Sequence, residues 1–275
     1  MCSFDKMKEN TSKARAMLGA VVGDIVGSVY ERLSTKRMDF VLFPQGSRFT
    51  DDTVMTLAVA QWLMEDEART PHGLVCCMQE LGHRYPCVGY GGRFHNWLWQ
   101  DSPEPYGSWG NGSAMRVSPV GLYAKTLDEA LALAALTAMV SHNHPEGVKG
   151  AQAIAACVFL CRHGQGKEEI RQYVERIFGY DLHRSLADIR PTYDFDVSCQ
   201  GSVPEAIIAF MEGETFEEVV RLAVSLGGDS DTMACMAGAI AACCYPIPEE
   251  MAERCSQLLT DDLRETMERF VAVCG

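Results

Sequence analysis

Gly19-Ala20-Val21-Val22-Gly23-Asp24-Ile25-Val26-Gly27 is the stretch on which the fold turns, because its glycines fall at i, i+4 and i+8. Residues so spaced line one face of an α-helix. Glycine inside a helix costs about 0.5–1 kcal/mol relative to alanine, so a stripe of three needs a reason. The simplest is close backbone approach of a second helix. Ala234, Gly238 and Ala242 repeat the spacing near the other end of the sequence. The two stripes together predict that the first and last helices of the core lie side by side.

Outward from that stretch the helical period dominates. It predicts helices over Met17 to Leu33, Val54 to Glu67, Leu127 to Val140, Gly150 to Arg162, Lys167 to Phe178, Val203 to Met211, Phe216 to Leu226, Met233 to Cys244 and Pro248 to Val273. Thr126-Leu127-Asp128-Glu129 and Thr215-Phe216-Glu217-Glu218 match capping boxes, and Pro248-Glu249-Glu250 suits a first turn. Phe40 to Phe43 is the best short strand candidate. The class is all-α, and no linker or composition shift divides the 275 residues, so a compact single domain over 1–275 is expected. Two glycine-rich, aromatic-flanked loops interrupt the helices, Gly89-Tyr90-Gly91-Gly92-Arg93 and Gly107-Ser108-Trp109-Gly110-Asn111-Gly112-Ser113. Long loops inside a helical domain are usually functional or disordered, and the interleaved Trp and Tyr favour function.

Composition narrows the class of function. The 47% of hydrophobic residues suffices for a substantial core and sets disorder aside. Acids outnumber bases 37 to 24, which argues against a nucleic-acid backbone as partner. Small phosphorylated ligands stay open, because backbone N–H groups or a carboxylate-held cation can bind them. The twelve cysteines include no Cys-x-x-Cys, and most sit in apolar runs, so free thiols in a reducing cytosol are expected. Met1 to Lys13 is polar, without a signal-type apolar stretch, and Asp24, Ser141 and His142 interrupt the longest apolar segments. These features predict a cytoplasmic protein without a membrane span.

Two turns carry the chemistry. Thr50-Asp51-Asp52-Thr53 and Asp229-Ser230-Asp231-Thr232 each precede a predicted helix. Alone, each reads as a helix cap with acids against the dipole. Together they offer four carboxylates and threonine hydroxyls, with no softer ligand, which suits hard cations such as Mg²⁺, Mn²⁺ or Ca²⁺. Four converging carboxylates repel unless cations neutralise them, and two metals fit that count. Asp24, on a tightly packed face, reads as a partner or cap for a neighbouring loop, since an unpaired buried acid is costly. By pattern alone Glu31 is a solvent-exposed acid. His142 and His144 form a His-x-His pair with no third nitrogen or sulfur ligand nearby, so a capping or ligand-bonding role is preferred to zinc. No nucleophile elbow, His-Glu-x-x-His, P-loop or dinucleotide fingerprint occurs.

Five segments in order, Gly19 to Gly27, Thr50 to Thr53, Gly110-Asn111-Gly112-Ser113-Ala114-Met115-Arg116, Ser141-His142-Asn143-His144-Pro145 and Gly227 to Thr232, resemble the ADP-ribosylglycohydrolase family. The resemblance extends from about residue 14 to residue 245. It implies a binuclear Mg²⁺ or Mn²⁺ centre held by Thr50, Asp51, Asp52, Asp229, Asp231 and Thr232. It also implies that Gly107, Ser108, Gly110, Asn111, Gly112 and Ser113 cradle a diphosphate, with Trp109 and Tyr106 near the adenine and Met115 closing the same motif. His142 matches a contact to the distal ribose, and Gly91 and Gly92 a loop passing close to the ligand. Glu31 corresponds to an acid on a mobile segment over the metals. The implied reaction removes ADP-ribose from a modified protein side chain or small conjugate, with Asp51, Asp52 or Glu31 managing the proton. Ser113 departs from the pattern, standing where glycine or alanine is usual. A catalytically silent ADP-ribose-binding member is the main alternative. An Asp-x-Asp phosphohydrolase at Asp229-Ser230-Asp231 fits less well, since that motif ends a strand. The segments Pro44 to Phe49 and Phe94 to Tyr106, which would discriminate substrates, carry the least pattern.

Overall fold

The computed structural model describes residues 17–274; the polar segment Met1 to Lys13 lies outside them. Among the described residues fifteen helices follow in chain order. They are α1 (17–27), α2 (Asp51–Glu65), α3 (Pro71–Arg84), α4 (Gly92–Leu98), α5 (Gly112–Met115), α6 (Ser118–Tyr123), α7 (Leu127–Met139) and α8 (Pro145–Arg162). Then come α9 (Lys167–Phe178), α10 (Leu186–Ile189), α11 (Cys199–Glu212), α12 (Phe216–Val224), α13 (Ser230–Cys244), α14 (Glu249–Leu258) and α15 (Asp261–Cys274). The described residues contain no strand, only an isolated bridge between Gly110 and Ser198. The all-α class therefore stands. No helix among them is long and apolar enough to cross a membrane.

The core is built around α13, which is buried from Ser230 to Ala242 and packs against α8, α11 and α12. The glycine stripes explain how α1 reaches it. A Cβ added at Gly19 would fall on the Gly238 carbonyl and the Ala242 side chain. One at Gly23 would fall inside the Ala234 backbone, and one at Gly27 against the Asp231 Cα. The pairs run in opposite directions along the two helices, so the contact is antiparallel. The end of α1 is thereby delivered to the start of α13.

Several boundaries differ from expectation. Helix α1 stops at residue 27, where Tyr30 N–H and Glu31 N–H both turn back onto the Gly27 carbonyl, at 2.8 and 3.1 Å. Phe40 to Phe43 forms no strand: the Met38 and Phe40 carbonyls accept from Arg221 Nη1 at 2.9 and 2.7 Å instead. The helix expected over Pro248 to Val273 is two, because Leu259 is extended and Thr260 opens a new start. The expectation of free thiols fails for one pair. Cys161 on α8 and Cys244 on α13 form a disulfide across a Cα separation of 6.4 Å. That pairing joins residues 83 apart in sequence, which no local spacing reveals.

Candidate metal centre and ligand cleft

The site lies where the end of α1 meets the starts of α2 and α13. Thr50 is a genuine cap, its Oγ1 accepting from Asp52 N–H at 3.3 Å. Asp229 holds the equivalent position before α13 but caps nothing. Its Oδ2 instead accepts from Asn111 Nδ2 at 2.8 Å. The capping reading thus accounts for Thr50 and leaves the second turn unexplained.

Asp24 is fully buried and anchors the first turn. Its Oδ2 accepts from Thr50 N–H at 2.9 Å, Thr53 N–H at 3.1 Å and the Thr53 hydroxyl. Its Oδ1 accepts from the Thr50 hydroxyl at 2.7 Å. Burial raises the Asp24 carboxyl to about 6 against the opposing pull of these bonds. With both oxygens engaged, Asp24 orients Thr50 rather than facing the cleft. Thr50 Oγ1 has one proton, which the 2.7 Å contact to Asp24 takes ahead of Asp52 Oδ2 at 3.3 Å, and a lone pair accepts from Asp52 N–H.

The two turns meet directly. Thr232 Oγ1 donates to Asp52 Oδ2 at 3.2 Å across 180 residues of sequence. Asp24, Asp52 and Asp231 bring carboxylate oxygens within 4.8 Å of one another, and so do Glu31, Asp229 and Asp231. Burial, with neighbouring acids, pushes the carboxyls of Asp52 and Asp231 well above the ordinary range. Burial also raises Asp229, and burial with the Asp24 charge raises Asp51 to about 8. Asp52 Oδ1 is buried without any hydrogen-bond partner. An orphaned carboxylate oxygen among crowded, desolvated acids and hydroxyls is a donor set fitted to hard divalent cations. The neighbouring triads place Asp231 in both and bring in Glu31, which spacing alone did not require. Neither triad contains a histidine. His144 instead caps α8, its Nδ1 accepting from Glu146 N–H at 3.1 Å.

A cleft of about 490 Å³ opens over these acids. Glu31, Thr50, Asp51, Asp52, Asp229, Asp231 and Thr232 line it, with Gly91, Gly92, Tyr106, Ser108, Gly110, Asn111, Gly112, Met115 and His142. A Cβ added at Gly91 or Gly92 would meet nothing within 4 Å, so those glycines leave open space. His142 is buried, its Nδ1 2.8 Å from Ser141 Oγ and its Nε2 turned toward Gly112. Burial, then the charges of Arg116 and Arg93, hold its pKa well below the ordinary value, so the ring is neutral at pH 7.

Three expected residues stand elsewhere. Gly107 and Trp109 do not line the cleft, and Trp109 is half exposed beside it. Ser113 is buried away from it, its hydroxyl donating to the Gly147 carbonyl at 2.7 Å. Sequence reasoning in turn missed Arg32, Arg93, Arg116, Phe195 and Val197, and reached Arg48 and Phe94 only as members of the discriminating segments, all in the lining. Phe195 and Val197 arrive through long-range pairing, with Asn111 N–H on the Val197 carbonyl at 2.8 Å. No local pattern signals that. Arg116 did carry a signal, a lone cation in an apolar helical stretch. It is fully buried, donating to the Thr137 carbonyl at 2.7 Å and to Ser141 Oγ at 2.9 Å.

Comparison with known proteins agrees with this geometry. A family model described as ADP-ribosylglycohydrolase matches residues 8–275. The chain is 28% identical to the ADP-ribosylhydrolase ARH3 of Homo sapiens, over 92% of each chain. It is 26% identical to the ADP-ribosylarginine hydrolase Tri1 of Pseudomonas putida, over 87% of this chain and 72% of that one. A solved structure titled ADP-ribosylglycohydrolase-related protein complex superposes with a TM-score of 0.72 at 27% identity, covering 97% of both chains.

Proposed function

Since the chain belongs to the ADP-ribosylglycohydrolase family, we propose that it is a metal-dependent hydrolase releasing ADP-ribose from a modified protein side chain or a small conjugate. The observation that carries the reading is the pair of carboxylate triads sharing Asp231, with the partnerless Asp52 Oδ1 between the two turns. Thr50, Asp51, Asp52, Asp229, Asp231 and Thr232 would hold two cations, Mg²⁺ or Mn²⁺. Bound there, the cations neutralise the acids and polarise a water and the distal ribose hydroxyls.

The chain's own groups do the rest. Ser108, Gly110 and Gly112, which line the cleft, would receive a diphosphate, and neutral His142 offers a hydrogen bond without adding charge. Gly91 and Gly92 let the ligand approach the backbone. Water adds to C1″ as the glycosidic bond breaks, and the proton from water ends on the leaving atom. The oxocarbenium character at C1″ is stabilised by the surrounding carboxylates. Asp51 and Glu31 are suited to move the proton. Asp52 accepts from the Thr232 hydroxyl at Oδ2, while its partnerless Oδ1 is left for a cation or the proton.

Asp231→Asn and Asp52→Asn should reduce release of ADP-ribose from a modified substrate to background while the proteins stay folded. Full activity in either would overturn the reading. Wild-type protein that binds ADP-ribose without any divalent cation and releases none from substrate would instead identify a silent binding member.

A further inference from the structure

Four arginines line the cleft, and they differ in their engagement. Arg93 donates to the Tyr106 carbonyl at 2.6 Å and lies over that ring at 4.8 Å. Arg116 is buried in its own hydrogen bonds. The guanidiniums of Arg32 and Arg48 are exposed, with no ion pair or hydrogen bond to any described residue. Their backbones are nonetheless placed. Arg32 follows Glu31, one of the triad acids, and Arg48 lies two residues before Thr50. Arg48 N–H donates to the buried Ser28 Oγ at 3.2 Å, fixing that segment to the end of α1. Both cations therefore flank the acids from segments other than the loop 107–113. If a diphosphate occupies that loop and the distal ribose covers the acids, the group beyond C1″ faces Arg32 and Arg48.

We infer that the cleft selects a leaving group bearing an anionic oxygen group, phosphate or carboxylate, at or next to the bond that is cut. Arg32 and Arg48 are the residues that select it. This rests on the hydrolytic reading above. A guanidinium presents planar paired donors that match phosphate and carboxylate, and it repels another guanidinium. An arginine leaving group would bring a third such cation against two unpaired ones, so the arginyl linkage is disfavoured here. Discrimination comes from repulsion as much as from attraction.

The test compares kcat/KM of the metal-loaded protein on ADP-ribose 1″-phosphate, ADP-ribosyl-serine peptides with acidic or neutral flanks, and ADP-ribosyl-arginine. The anionic substrates should lead the neutral peptide about tenfold, less so at high salt because exposed charges are screened. The 1″-phosphate arm and the acidic-flank arm show which source of the anion is read. In the Arg32→Gln/Arg48→Gln double variant the anionic-to-neutral ratio should fall about tenfold. A ratio unmoved by the double variant, as when the arginines hold the diphosphate and all substrates suffer equally, overturns the inference. So does fastest cleavage of ADP-ribosyl-arginine. Calorimetric titration of inorganic phosphate into ADP-ribose-saturated protein separates this from the hydrolytic reading. Phosphate bound by wild type and not by the double variant supports the inference even if no substrate turns over, a result that sinks only the hydrolytic reading. No phosphate binding by wild type overturns the inference itself.

Discussion

Asp24 accepts from three groups at one oxygen and from a fourth at the other, and all four donors belong to Thr50 and Thr53. Exchanging it for asparagine keeps the shape but turns one acceptor into a donor facing donors. Each donor left unpaired in a buried site costs about 1–3 kcal/mol. Asp24→Asn should therefore lower the melting temperature and also weaken divalent-cation binding, because Thr50 loses its orientation. Unchanged cation affinity in a destabilised variant would reduce Asp24 to a packing role. The sequence made this residue conspicuous, since an acid within a glycine stripe is costly to bury unpaired. It could not name the partners. Arg32 and Arg48 were illegible for the opposite reason: exposed arginines in patternless segments look like ordinary solvated charge.

Helix starts were readable at the two capping boxes, whereas Thr260 before Asp261 and Asp262 was passed over inside one expected helix. Thr126 and Thr215 accept from Glu129 N–H and Glu218 N–H, as the capping-box pattern requires. Helix α3 escaped notice although Thr70 caps it and Pro71 opens it, because its apolar periodicity is interrupted by His72, Gly73 and Gln79. The stripes were the most informative elements, since each glycine found its partner across the α1–α13 contact. Gly23→Ala should destabilise the protein by at least about 1–3 kcal/mol, the usual range for overpacking. Gly92→Ala enters open space and should leave the melting temperature within about 1 °C, while weakening ADP-ribose binding. Denaturation and ligand titration of the two variants read both effects; a stable Gly23→Ala protein would refute the close approach.

Across the whole molecule the acids impose a dependence on pH. Asp51 rises from an ordinary 3.8 to about 8, and Asp52, Asp229 and Asp231 also rise. Folded, cation-free protein thus holds more protons than unfolded chain between about pH 4 and 8, so its stability falls as pH rises through that window. Melting in a chelator should show a lower midpoint at pH 8 than at pH 6. Added Mg²⁺ or Mn²⁺ should raise the midpoint more at pH 8, where fewer protons compete for the ligand carboxyls than at pH 6. Equal gains at both values would contradict the site. The convergence behind this behaviour was only partly legible: the stripes argued that the ends of the core meet, but the disulfide and the Val197 pairing depend on three-dimensional neighbours. The same stripes bear on how the protein can change over generations. At Gly82 an added methyl would strike the Leu98 side chain, and a smaller residue at 98 could restore the fit. At Gly23 it would strike a carbonyl and an amide nitrogen, atoms that every amino acid carries. A suppressor screen on Gly82→Ala should recover second-site revertants at Leu98, whereas one on Gly23→Ala should return only the original glycine.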